Sequence, residues 1–102
     1  MIIVQGWVRI APGEIERLRD AALAMAEATR QEPGCLEYSF AVDLADPNLL
    51  HIAERWQDDD ALATHFASAH MASFNQALRS ARVEGASVKA YSGELQRTLL
   101  GT

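Results

Sequence analysis

Glu32-Pro33-Gly34-Cys35-Leu36-Glu37-Tyr38 is the stretch that decides the fold. Ahead of it the apolar residues recur with helical spacing. Behind it they alternate. The Pro-Gly step therefore stops a helix and delivers the chain directly into a strand. In the helical segment, 14–32, Ile15, Leu18, Ala22, Met25, Ala26 and Thr29 fall in one stripe about 100° wide, while Glu16, Arg17, Arg19, Asp20, Glu27 and Arg30 lie off it. Such a helix covers a sheet with one face and meets water with the other. In the segment 35–43, Leu36, Tyr38, Phe40 and Val42 alternate with Glu37, Ser39, Ala41 and Asp43.

Working outward, residues 2–10 are rich in β-branched and aromatic types and read as a first strand, and Pro12-Gly13-Glu14 opens the helix. Ala45-Asp46-Pro47-Asn48 is a turn, so strand 35–43 pairs as a hairpin with strand 49–57. Asp58-Asp59-Asp60 begins a second helical stretch that runs, with an interruption, to about Ala81, and residues 86–99 read as a long last strand. The order β-α-β-β-α-β gives one domain over 1–102. Its architecture is a ferredoxin-like α+β sandwich: a four-stranded antiparallel sheet with its helices on one face. The first strand carries apolar groups on both faces, Ile2, Val4, Val8 and Ile10 one way and Ile3 and Trp7 the other. A bare apolar sheet face binds a partner, so a homodimer packed sheet to sheet is expected, with the last strand reaching onto the second subunit.

Composition narrows the function classes. The chain has 102 residues, too few to bury more than about 60–70% of its unfolded surface. Eighteen of its apolar residues are Ala, so large core side chains are scarce and association becomes more favourable. A net charge of −5 argues against nucleic acid or an anionic membrane as partner. No run approaches the ~18 apolar residues of a membrane span. The first ten residues lack the basic lead of a signal peptide, so a cytoplasmic location is expected. The single cysteine, Cys35, excludes an intrachain disulfide and a Cys-based metal cage.

The residues with chemical potential lie between 38 and 75. Glu54 shares a strand face with Leu50, Ile52 and Trp56, so its carboxylate is partly buried. It is either a base or hydrogen-bond acceptor that orients a ligand or a His, or half of an ion pair with Arg9 or Arg97. Trp56 offers a flat apolar wall and one N–H, for a substrate or for the core. His65 follows Leu62 by three residues and adjoins Phe66, which points it toward the core. His70 is five residues on, about 140° round a continuous helix, a poor spacing for a metal pair. A break near Ala67-Ser68-Ala69, with Ser68 as a new N-cap, frees the two rings from that geometry. Met71, Phe74, Leu78 and Ala81 then form the next apolar stripe, flanked by Asn75. One reading is a pocket under this helix holding His65, His70 and Asn75. The other is one structural His and one exposed. The three aspartates at 58–60 are explained by a helix N-terminus better than by a cation. Cys35 has no basic neighbour in sequence to activate it.

Taken together, the Glu32–Tyr38 run, Asp46-Pro47, Glu54-Arg55-Trp56, Ala61-Leu62, His65, His70-Met71 and Phe74 resemble the antibiotic biosynthesis monooxygenase domain family, which includes small quinol monooxygenases. The resemblance implies the ferredoxin-like fold, a dimer joined through its sheets and a pocket between sheet and helices. It also implies oxygenation of a small aromatic or quinol by dioxygen without flavin or metal, because a deprotonated hydroquinone can itself reduce dioxygen. On that reading Trp56, Tyr38, Phe66, Met71, Phe74 and Asn75 line the substrate. His65 and His70 act as base or oxyanion donor, and Glu54 orients one of them. No cofactor is expected. The haem-degrading branch resembles a pattern with Asn in the first strand, Trp at the position of His65 and His at that of Asn75. Here residues 1–10 contain no Asn, so haem is disfavoured. A dimer that only binds a small ligand, and an isomerase of a small dicarbonyl, are the alternatives.

Overall fold

The computed structural model describes residues 1–102. Its elements are β1 (Ile2–Ile10), α1 (Glu14–Arg30), β2 (Cys35–Val42), β3 (Leu49–Trp56), α2 (Asp59–Phe66), α3 (Ala69–Ser80) and β4 (Val83–Ser92). The strands form one antiparallel sheet in the order β2-β3-β1-β4, the ferredoxin-like arrangement. Leu18, Met25, Ala26 and Thr29 are the buried stripe of α1. The main core joins Val4, Tyr38 and Trp56 of the sheet to Met25, Leu62 and Phe74 of the three helices. A smaller cluster of Ile10, Leu18 and Ala81 closes the other end. Only 15 of the 102 residues are buried, a small core that leaves apolar side chains exposed on several elements, Trp7 and Tyr91 of the sheet's far side among them.

The second helical stretch is broken where Ser68 predicts it. Ala67 caps α2, and the Ser68 side chain accepts from the Met71 N–H to start α3. Asp58 caps α2 in the same way, accepting from Ala61 N–H at 2.9 Å. These short polar side chains satisfy amides that a helix start leaves unpaired. At the α1–β2 turn, Pro33 keeps Glu32 out of the helix, so α1 ends at Arg30 and Glu32 lies in the turn. Gly34 follows with φ 86° and is held against β3 by Gln57 N–H donating to its carbonyl at 2.8 Å.

Two strand expectations need correction. Residues 36–42 do not alternate throughout, because a bulge at Leu36 interrupts the β2–β3 register: Cys35 faces Trp56, whereas Tyr38 faces Glu54. Tyr38, Phe40 and Val42 keep the helix-side face, and Leu36 is turned out to water. The last strand spans 83–92 and not 86–99. A strand lasts as long as its partner: Ser92 lies opposite Ile2, where β1 begins, and a register shift at Arg9/Ile10 lets β4 start early at Val83. The sheet face away from the helices presents Ile3, Trp7 and Tyr91 among Gln5, Lys89, Arg55 and His51. Trp7 lies over Gly85, where an added Cβ would meet its ring at 3.5 Å.

Candidate functional site

The α1–β2 turn, the end of α2 and the start of α3 meet at a cluster of titratable groups. His65 donates from Nδ1 to Glu32 Oε2 at 2.7 Å, and His70 donates from Nε2 to the same oxygen at 2.8 Å. A carboxylate only accepts, so each imidazole carries its proton on the nitrogen facing Glu32. The His65 side chain is 1% exposed, Glu32 10% and His70 24%, so the cluster opens to solvent on the His70 side alone. The helix break at Ser68 makes this convergence possible, since rings five residues apart on one continuous helix diverge.

His65 sits in an aromatic nest. Its ring centroid is 4.8 Å from Trp56, 5.4 Å from Tyr38 and 5.8 Å from Phe66. Trp56 is fully buried and donates its indole N–H to Glu54 Oε1 at 2.9 Å. Glu54 therefore orients the indole and neither imidazole, and it forms no ion pair, as Arg9 is engaged with Asp46. Burial pushes the Glu54 carboxyl above the ordinary carboxylate range. The Trp56 hydrogen bond and His65 pull it partly back, and the nearby charge of Glu32 adds to the rise. Burial, helped by Glu54, raises the Tyr38 phenol well above its usual value, so it is a neutral hydroxyl at neutral pH. Burial and the charges of Glu32 and Glu54 likewise raise the Cys35 thiol, which disfavours the thiolate a nucleophile needs.

A cavity lined mostly by apolar side chains lies elsewhere. It measures about 150 Å³ and lies between α1, the β2–β3 edge and α3, walled by Leu18, Ala22, Phe40, Leu50, Phe74 and Leu78. Of the site residues expected from sequence, Phe74 alone lines it. Tyr38 borders a shallower groove with Arg30, Cys35, Leu36 and Glu37. Met71 packs against the main core, Asn75 is half-buried, and Phe66 is 60% exposed. Phe40 links cavity and cluster: it is 5.6 Å from Phe74 and edge-on to Tyr38 at 5.4 Å. The imidazoles thus stand one aromatic layer behind the cavity wall. Two cations also line the cavity. Arg19 is bound to Glu16 at 2.9 Å, whereas Arg30 donates to the Tyr38 carbonyl at 3.0 Å and has no carboxylate partner.

Sequence reasoning missed Glu32 and Phe40 as site residues. Helical spacing over 14–32 puts Glu32 at the helix end, although a residue before Pro is biased away from helical backbone. Phe40 was on the right strand face, and no local signal marks it as a cavity wall.

Known proteins are similar to this chain in fold and in sequence. The family model described as antibiotic biosynthesis monooxygenase matches residues 1–77. A crystal structure from Deinococcus radiodurans, carrying the same family description, superposes with a TM-score of 0.89 at 31% identity, covering 99% of this chain and 100% of that one. The uncharacterized protein sll1783 of Synechocystis is 29% identical over 98 residues, 96% of this chain and 67% of its own. YcnE of Bacillus subtilis, named as a candidate monooxygenase, is 26% identical over 74 residues, 72% of this chain and 78% of its own. No helix here is long and apolar enough to cross a membrane. With the fold, the ordered motifs and a family match over three quarters of the sequence in agreement, the chain belongs to the antibiotic biosynthesis monooxygenase family.

Proposed function

We propose that the protein is a monooxygenase that inserts one atom of dioxygen into a small phenol or quinol, with no organic cofactor. One observation carries this beyond family membership: the apolar cavity of about 150 Å³ walled by Phe40 and Phe74. An apolar cavity of about that size accommodates a benzene ring. Arg30, free of any carboxylate, suits a phenolate oxygen at the cavity edge. A phenolate reduces dioxygen at the ring carbon. Collapse of the adduct then yields a quinone and one water, so the atoms balance with no external reductant. His65 and His70, oriented by Glu32, are the proton-handling pair; an aromatic layer separates them from the ring, so a bridging water carries the proton to them, and Glu54 with Trp56 stiffens the wall behind them. A second subunit covers the Ile3–Trp7–Tyr91 face, and residues 93–102, which extend beyond β4, reach toward it.

The test is oxygen uptake with a panel of hydroquinones and naphthols, for wild type, His65→Ala, His70→Ala and Ala22→Phe. Ala22→Phe fills the cavity and abolishes turnover if the ring binds there. Equal rates in wild type and both His variants remove the imidazoles from the mechanism. No uptake by wild type with any member overturns the reading. A second reading, a dimer that binds an aromatic metabolite without turning it over, is favoured by one feature: neither imidazole lines the cavity. Binding with no uptake and no pH dependence between about pH 5 and 8 selects it.

A further inference from the structure

The Glu32 carboxylate has a feature the oxygenase reading does not use. Its Oε2 accepts from both imidazoles, while its Oε1 is buried with no hydrogen-bond partner. A carboxylate offers about four acceptor positions, and a dry, unpartnered oxygen is rare in folded proteins unless water or an ion occupies the place. The surroundings favour a cation. One donor atom from each of Glu32, His65 and His70 lies within 4.8 Å of the other two. Glu54 is near enough for its charge and that of Glu32 to oppose each other. The donors come from three separate elements, so the convergence is built by the tertiary fold and is not an accident of one helix face.

We propose that Glu32, His65 and His70 form a binding site for a divalent transition-metal ion of the zinc or cobalt class. Two imidazoles and one carboxylate are a borderline-soft donor set, which suits these ions better than calcium or magnesium, whose sites are made of oxygens. His65 binds through Nδ1 and His70 through Nε2, the nitrogens that now face Glu32. Each ring carries its proton on the other nitrogen when the metal is bound, so both stay neutral. Partial exposure of His70 provides the entry path and leaves a solvent-facing position for a water ligand. The ion ties the α1–β2 turn to the α2–α3 break. The ion would occupy the imidazoles that the oxygenase reading uses as its proton-handling pair, but its binding is measured apart from oxygen uptake, because the cavity and the cluster share no lining residue.

The test uses the full chain, stripped with chelator and titrated with cobalt(II) chloride, and then with zinc(II) in competition. The expected result is one equivalent of cobalt with visible d–d absorption, displaced by zinc. At about a hundredfold excess of free zinc over its dissociation constant, the melting temperature rises by about 10 °C or more. Glu32→Gln and His70→Ala each weaken cobalt binding at least tenfold (about the smallest loss seen even for outer-shell partners). Glu32→Gln keeps the size of the side chain and His70 is partly exposed, so neither change removes a core side chain, which His65→Ala would do. His51→Ala is the control: His51 pairs with Asp43 on the exposed sheet face, away from the cluster. Three outcomes overturn the site: no absorption and no melting shift; absorption unchanged in both Glu32→Gln and His70→Ala; or loss of absorption in His51→Ala.

Discussion

Gly34→Ala tests the turn that places Glu32. Two costs add at this residue. The backbone sits at φ 86°, where a Cβ costs about 1 kcal/mol. That Cβ would also stand 2.7 Å from the Cβ of Ala61, so the turn and α2 would have to part by about 1 Å. Overpacking of this kind costs typically about 1–3 kcal/mol. The total is about 2–4 kcal/mol, and the melting temperature falls by roughly 10–30 °C for a domain of this size. Gly13 supplies the control. Its φ is 83°, yet nothing lies within 4 Å of an added Cβ, so Gly13→Ala carries the conformational cost alone. The assay is urea unfolding of wild type, Gly34→Ala, Gly13→Ala, Ala61→Gly and the Gly34→Ala/Ala61→Gly pair. The steric share appears as a coupling of about 1–3 kcal/mol between residues 34 and 61. If Gly34→Ala costs no more than Gly13→Ala, or if the pair is additive, the close packing of turn on helix is refuted.

Three other outcomes follow from the structure. Glu54 holds its proton more tightly folded than unfolded, so its stabilising contribution is complete below its unfolded value near 4.5 and is lost as pH rises through the folded value. Glu54→Gln removes that loss, so urea unfolding shows the variant gaining on wild type as pH rises above the unfolded value; a pH-independent difference contradicts the burial of a titrating carboxyl. Phe74→Ala removes a ring shared by core and cavity wall and costs about 3–5 kcal/mol in the same assay; a loss below about 1 kcal/mol would mean the wall is not packed. Light scattering gives a mass near twice the 11.2 kDa chain, and Trp7→Asp on the bare sheet face returns it to 11.2 kDa; a wild-type monomer at micromolar concentration excludes the sheet-to-sheet dimer.

Much of the architecture was legible because its signals are local. Helical spacing ahead of Pro33, alternation in the strands and Ser68 as a helix start each act over a few residues, and together they fix strand order and the break that brings His65 and His70 together. Glu54 and Trp56 share a face because a strand alternates by two, whatever surrounds it. What escaped depends on distant pairs. Glu32 meets its imidazoles 33 and 38 residues away, and the one nearby signal, Pro33, marks it as leaving α1 without showing what it meets. The bulge at Leu36 and the end of β4 at Ser92 are set by where neighbouring strands begin and end. The apolar cavity is walled by α1 as well as by Phe74 and Leu78 of α3, and no local pattern marks that distant pairing of helices.

The chain divides at its central hairpin into two βα-containing halves. Glu32 belongs to the first, and His65 and His70 to the second. The three-way junction therefore cannot assemble in either piece alone. It forms only when the two halves dock, because its contacts span 33 and 38 residues of chain. A polypeptide cut between Asp46 and Asn48 would regain the junction solely by reassociation of its fragments, which makes these three side chains a built-in reporter of successful complementation.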